Sequence, residues 1–181
     1  APFNGRATAF VNASAASGGD GSSGLPYQTI AAGAGGTLFG GTVNVAAGTY
    51  TELVNANRSL TFTGVSVGNP HAVHYVAEDP AAFPIERIGP LVENHPIFPR
   101  RTNFQVVQVL GRGHVRHRVW ERGSGITLAS GTSATAVAAA SRLRGFTGDR
   151  IVDSLPGGDL VLEWDGTGSV FMSGPATRVF D

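Results

Sequence analysis

An alanine-rich stretch over residues 130–143, set between runs of strand character, most constrains how this chain can fold. Ala134, Ala136, Ala138, Ala139 and Ala140 leave almost no polar face, so a helix here has to be surrounded by other elements. Alternating apolar residues over 104–110 and 114–121, across Gly111-Arg112-Gly113, predict two strands ahead of it. Residues 151–155, 159–164 and 169–172 predict strands after it, with turns at Pro156-Gly157-Gly158 and Asp165-Gly166. Upstream, residues 65–76 read as strand interrupted by a Gly68-Asn69-Pro70 turn. Pro84, at a first helical position, opens Ile85-Glu86-Arg87-Ile88, and Leu91 and Val92 extend that helical face despite Pro90. The fold class expected for this half is α+β, a curved sheet rolled round the central alanine-rich helix.

The first half is built differently. Up to residue 65 the only charges are Arg6, Asp20, Glu52 and Arg58, and glycine and alanine dominate; both tryptophans and every histidine lie beyond. This shift divides the chain into a Gly/Ala-rich β segment, residues 1–64, and a second unit, residues 65–181. Residues 7–11, 42–45 and 60–63 are β-type runs, and 17–24 and 33–41 are loop chemistry. The strings FVNASAASGGDGSSGLPYQTI and GGTVNVAAGTYTELVNANRSLTFTG resemble the opening coils of secreted right-handed parallel β-helix proteins, some of which act on polysaccharides. Two coils fall short of the roughly three that a solenoid needs. Such a segment has to dock on the second half, self-associate or stay poorly ordered. The junction near Val65 fits a gene fusion, a truncated gene or a chimera.

Composition removes several classes of function. The 181 residues carry 13 basic and 13 acidic side chains, a net charge of zero, and every basic residue is arginine. Nucleic-acid binding through phosphate neutralisation is therefore not expected. No apolar run approaches the ~18 residues of a membrane span, so no membrane partner is expected either. The absence of cysteine excludes disulfides, thiolate metal sites and a cysteine nucleophile. His74, His95, His114 and His117 follow no metal-ligand spacing, so no metal site is expected.

The sharpest chemical feature is the run from Glu121-Arg122-Gly123 through Gly125 to Ser130-Gly131-Thr132-Ser133, a glycine-rich loop feeding the alanine-rich helix. Ser130 or Thr132 can cap that helix. The N–H groups of Gly131, Thr132 and Ser133 would then point outward at the positive end of the helix dipole, a ready site for a carboxylate or phosphate. Arg122 could add a bidentate clamp. From these residues alone, a tight turn followed by a cap accounts for the pattern better than an anion site does.

Four strings in order tip the balance: VSVGNPHAV (65–73), FPIERIGPLVENHPIFPRRTNFQVVQV (83–109), HRVWERGSGITLASGTSATAV (117–137) and LPGGDLVLEW (155–164). Together they resemble the C-terminal half of the diaminopimelate epimerase family. The resemblance implies a two-lobed α/β enzyme that inverts one stereocentre of diaminopimelate, on the route to lysine and peptidoglycan, without a cofactor. It implies that helix N-termini hold the substrate carboxylate while one cysteine from each lobe moves the α-proton, the thiol made acidic by the helix dipole from its usual ~8.5. By motif, Asn69, His71, Asn103, Glu121, Arg122, Gly131 and Thr132 fall on substrate-site positions, and Ser130 falls on the catalytic cysteine. Ile126 stands where that family has glutamate, and Ser133 and Thr135 also depart from its pattern.

An alcohol holds its proton far more tightly than a thiol, and no activating base is evident beside Ser130 in the sequence. Residues 1–65 show no counterpart of the family's other lobe. The expected function is that of an epimerase-family lobe, an isomerase by descent, with impaired chemistry and no cofactor. One alternative is a non-catalytic module that binds an amino-acid carboxylate, and another is a secreted β-helix-type fragment. A homodimer across the site, in place of the family's internal pseudo-twofold, is the expected protein partner. The resemblance implies a cytoplasmic location; a governing β-helix segment would imply secretion.

Overall fold

The computed structural model describes the backbone of residues 6–11, 37–45, 48–55, 58–176 and 178, and side chains over 60–176 and at Arg178. Near the N-terminus, β1 (Arg6–Val11) and β2 (Thr37–Val45) form a separate parallel pair. The other strands make one sheet: β3 (Gly48–Asn55), β4 (Arg58–Ser66), β5 (Pro70–Val76), β6 (Asn103–Gly111), β7 (His114–Glu121), β8 (Gly125–Thr127), β9 (Arg150–Leu155), β10 (Gly158–Glu163) and β11 (Phe171–Ser173). Its order is β11-β10-β9-β7-β6-β5-β4-β3, with β8 pairing β7 beside the path. Two helices complete the fold, α1 (Ile85–Glu93) and α2 (Gly131–Leu143). It is thus mixed α+β, with a central sheet and two helices. No helix among the described residues is long and apolar enough to cross a membrane.

Most pairings are antiparallel, but β5 with β6 and β7 with β9 are parallel, joined through α1 and α2 respectively. Both connections step the same way across the sheet, while β7 runs opposite to β6. Right-handed crossovers therefore place the two helices on opposite faces. The core divides accordingly. Ile85, Ile88 and Val92 of α1 pack with Leu60, Phe62, Ala72, Phe104 and Val106. Ala134, Val137, Ala138 and Ala140 of α2 pack with Val73, Val107, Val115, Ile151 and Leu162. Strand β6 is covered on both sides, which explains why Phe104 through Val107 are all buried.

Helix α2 touches β4 and β5 on one side and β9 and β10 on the other, so the sheet bends around it. Small side chains permit that close wrapping, and alanine is also the residue that favours helix most. The compositional boundary at residue 64 falls inside β4, whose Leu60 and Phe62 belong to the same core as α1. Of the two strings that resemble parallel coils, 10–30 lies almost wholly outside the described residues, whereas 40–64 supplies the end of β2 and the antiparallel β3–β4 pair, which joins the lobe's own sheet in place of a parallel coil.

Glycine in a helix ordinarily gains stability on replacement by alanine, by roughly 1 kcal/mol. Gly89 of α1 is different, because a Cβ there would lie 2.5 Å from Cγ of Trp120 on β7. Gly89→Ala is expected to destabilise the protein by about 1–3 kcal/mol through overpacking, measured as a lower urea midpoint. A stabilised variant would mean that α1 does not rest on Trp120.

Candidate functional site

The topology gathers the candidate residues at one end of the sheet. Because β5 and β6 are parallel and paired with His71 opposite Asn103, both strands begin there. Antiparallel β7 ends there at Glu121, and the chain leaves through β8 to the start of α2. The β4–β5 turn, with Gly68 at φ +99°, places Asn69 beside the start of β5. Asn69, His71, Asn103, Glu121, Ser130, Gly131 and Thr132 are thereby collected from five segments of the chain.

Hydrogen bonds lock this cluster. His71 Nε2 lies 2.9 Å from Asn69 Oδ1, which can only accept, so Nε2 carries the proton and Nδ1 accepts from Gln105 Nε2, also 2.9 Å away. Gln105 Nε2 also donates to Ser133 Oγ at 3.1 Å, tying the first turn of α2 to His71 through buried groups. Asn103 donates to Pro70 O at 3.0 Å and accepts from the Arg122 backbone N–H at 2.9 Å. Its amide stitches strand starts to the loop. Glu121 and Arg122 do not pair with each other. Arg122 Nη1 donates to Arg100 O at 2.8 Å.

Ser130 occupies the N-cap of α2 in an extended conformation, φ −153° and ψ 116°, yet its side chain makes no capping bond. This corrects the expectation that Ser130 or Thr132 caps the helix. The Ser130 hydroxyl instead donates to Glu121 Oε2 at 3.1 Å, and Thr127 Oγ1 donates to Oε1 of the same carboxylate. The first intrahelical bond is Ala134 N–H to Ser130 O, 3.0 Å. Among the described residues nothing accepts from the N–H groups of Gly131, Thr132 or Ser133. Gly131 and the exposed Thr132 thus offer unpaired backbone donors at the positive end of a 13-residue helix whose first turn carries no acidic residue, while Ser133 lies fully buried beneath them, contrary to the expectation that its N–H points outward.

The His71 imidazole is pushed down from 6.5 to about 4, chiefly by burial; the bond to Gln105 opposes this, and the positive charge of Arg122 and the neighbouring His117 add to it. His71 is therefore neutral at pH 7, a fixed spacer rather than a charged anion ligand. Gln105, Thr127 and Glu93 escaped the sequence reading, and so did the bond that the Ser133 hydroxyl makes to Gln105. Gln105 alternates in β6 with apolar Phe104 and Val106, and its full burial was the one signal that could have marked it, visible only once α2 covers that face. Among the described residues no group of three histidine, aspartate or glutamate side chains is placed to hold a metal.

The family model described as Diaminopimelate epimerase matches residues 63–179. The chain belongs to the diaminopimelate epimerase family. The diaminopimelate epimerase of Leptospira biflexa is 55% identical over 119 residues, 66% of this chain and 42% of that protein. Those of Methanococcus maripaludis and Synechococcus elongatus are each 47% identical, over 72% and 71% of this chain and 47% and 46% of theirs. The chain therefore spans less than half the length of these curated relatives. Among solved structures, a phenazine biosynthesis protein of the PhzF family from Bacillus anthracis gives a TM-score of 0.41 at 15% identity, covering 57% of this chain and 34% of that one. A putative PhzC/PhzF protein from Clostridium difficile gives 0.39 at 19%, covering 53% and 34%.

A histidine depressed in the folded state binds its proton later than in the unfolded chain. Stability held above pH 6.5 is therefore lost progressively as pH falls from 6.5 toward 4, and the loss levels off below that. The His71 ring resonances are expected to titrate near pH 4 by NMR; a midpoint near 6.5 would show that the imidazole is open to water.

Proposed function

We propose that this lobe binds an amino-acid carboxylate of the diaminopimelate type at the start of α2 and that its own epimerase chemistry is impaired. The unpaired N–H groups of Gly131 and Thr132, at the surface end of the helix, carry this reading. Oriented backbone donors at a helix start stabilise an anion without reorganising, the same physics that lets such a site favour the charge developing on a carboxylate when its α-proton leaves. Arg122 supplies the nearby cation, and Asn69 keeps Nδ2 available beside it while Oδ1 serves His71. Thr132 is exposed at the site's mouth. Diaminopimelate as ligand, the isomerase class and the absence of a cofactor all come from the family.

Ser130 at the cysteine position is the reason for assigning impaired turnover. The Glu121 carboxylate accepts its hydrogen bond, but a carboxylate is far too weak a base to take the proton of an alcohol and leave an alkoxide behind. Ser130 and Glu121 thus form a stable pair rather than an activated nucleophile. We place the start of this lobe ahead of β3 and not at residue 64, because β3 and β4 join its sheet and Leu60 and Phe62 its core. A second copy facing the site would set two Ser130 hydroxyls opposite each other.

Calorimetry with diaminopimelate is expected to give saturable binding, weakened at least about tenfold in Arg122→Ala, the loss of roughly one charge-assisted contact. In deuterated water no deuterium is expected at the α-carbon with the wild-type chain or with Ser130→Cys. No heat of binding would remove the ligand assignment, and deuterium incorporation by the wild-type chain would remove the assignment of impaired chemistry.

A further inference from the structure

The Glu121-Arg122-Gly123 turn carries two of the candidate binding side chains, yet its own sequence does little to fix it. Gly123 and Gly125 lie at φ +81° and +77°, and Arg122, Gly123 and Ser124 are exposed. What holds the turn comes from elsewhere. Glu93, the last residue of α1, is buried, with 5% of its surface exposed. Its Oε1 accepts from the Gly123 backbone N–H at 2.9 Å and from Arg101 Nη1 at 3.0 Å, and its Oε2 accepts from Trp120 Nε1 at 2.7 Å. These donors lie one residue beyond Arg122, one residue before Glu121, and on the loop leading into β6.

The surroundings show how firmly that carboxylate is fixed. Helix α1 lies against Trp120 so closely that Gly89 has no room for a Cβ. Arg101 has φ +57°, the one non-glycine residue at positive φ among those described, and in that conformation its guanidinium reaches Glu93. A buried carboxylate satisfied by three donors is costly to disturb, since removing it orphans every donor at once.

We propose that Glu93 is a positioning residue of this site: its carboxylate clamps both ends of the Glu121–Gly123 turn and so sets where Glu121 and Arg122 stand relative to the start of α2. It touches no ligand itself and acts through the turn. Glu121, once placed, takes the Ser130 hydroxyl, which leaves the helix N–H groups uncapped. This inference rests on the reading of that helix start as a carboxylate site, but the state of the turn can be measured without any ligand.

Glu93→Gln keeps the side-chain shape while turning one acceptor into a donor, which must then face either the indole N–H or the Gly123 N–H and Arg101. Amide exchange by NMR is expected to quicken at least about tenfold at Gly123 while Val137 in the core of α2 stays as in wild type. The His71 midpoint should move upward as the Arg122 charge leaves its place, and the dissociation constant for diaminopimelate should rise about tenfold or more. Arg101→Met, a change at a half-exposed side chain, should quicken Gly123 exchange by a smaller factor, about threefold, and serves if the glutamine variant does not fold. Unchanged Gly123 exchange in either folded variant overturns the proposal, as does Gly123 exchange rising only in step with Val137. Quickened Gly123 exchange with unaltered diaminopimelate affinity also overturns it. If the wild-type chain binds no diaminopimelate, the carboxylate reading falls, and Gly123 exchange with the His71 midpoint still decides the role of Glu93.

Discussion

Two parallel strand pairs running in opposite directions underlie everything else in this lobe. Each needs a crossover, each crossover keeps its right hand, and the reversal between β6 and β7 sends one helix to each face. That single constraint buries β6 on both sides. It also brings the starts of β5 and β6, the end of β7 and the start of α2 to one edge of the molecule. That the candidate residues meet at that edge follows from topology before any side chain is considered.

The side chains then divide the labour. Asn103, His71 and Gln105 are spent on internal bonds that fix the strand starts and the first turn of α2, and Glu93 does the same for the loop after β7. Few groups are left facing outward: the N–H donors at the start of α2, the amide of Asn69, the Thr132 hydroxyl and the outer part of Arg122. These are almost all hydrogen-bond donors, which is the basis on which we propose an anion there. In the function we propose, Ser130 alters the chemistry and leaves that donor set in place. Its hydroxyl satisfies Glu121, whereas a thiolate at the same place would add a negative charge beside that carboxylate.

Much of the architecture was legible from residue pattern. The Gly68-Asn69-Pro70 turn, the helix after Pro84, the hairpin at Gly111-Arg112-Gly113 and the alanine-rich helix stand within a residue or two of their expected places. Period and turn chemistry are local, so they survive in the sequence. The three-residue strand β8 reads as loop in the sequence because Ile126 and Thr127, though β-branched, are too short a run after Gly123-Ser124-Gly125; pairing with β7 makes the strand. Strand β2 likewise begins at Thr37, inside a stretch whose glycines read as loop.

The site shows the same division. Sequence alone determined which residue types are available: an alanine-rich helix with a small, uncharged first turn, arginine as the sole basic side chain, and serine without any cysteine. It could not determine what most of these polar groups are bonded to, because many partners lie far off in the chain, 9 positions for Ser130 and Glu121 and 34 for His71 and Gln105. Only the packing of α2 against one face and α1 against the other turned Ser130 away from its cap and seated Glu93 under the loop. Hydrogen-bond choice depends on which donor and acceptor are brought together, and for residues so far apart that is decided by the tertiary fold.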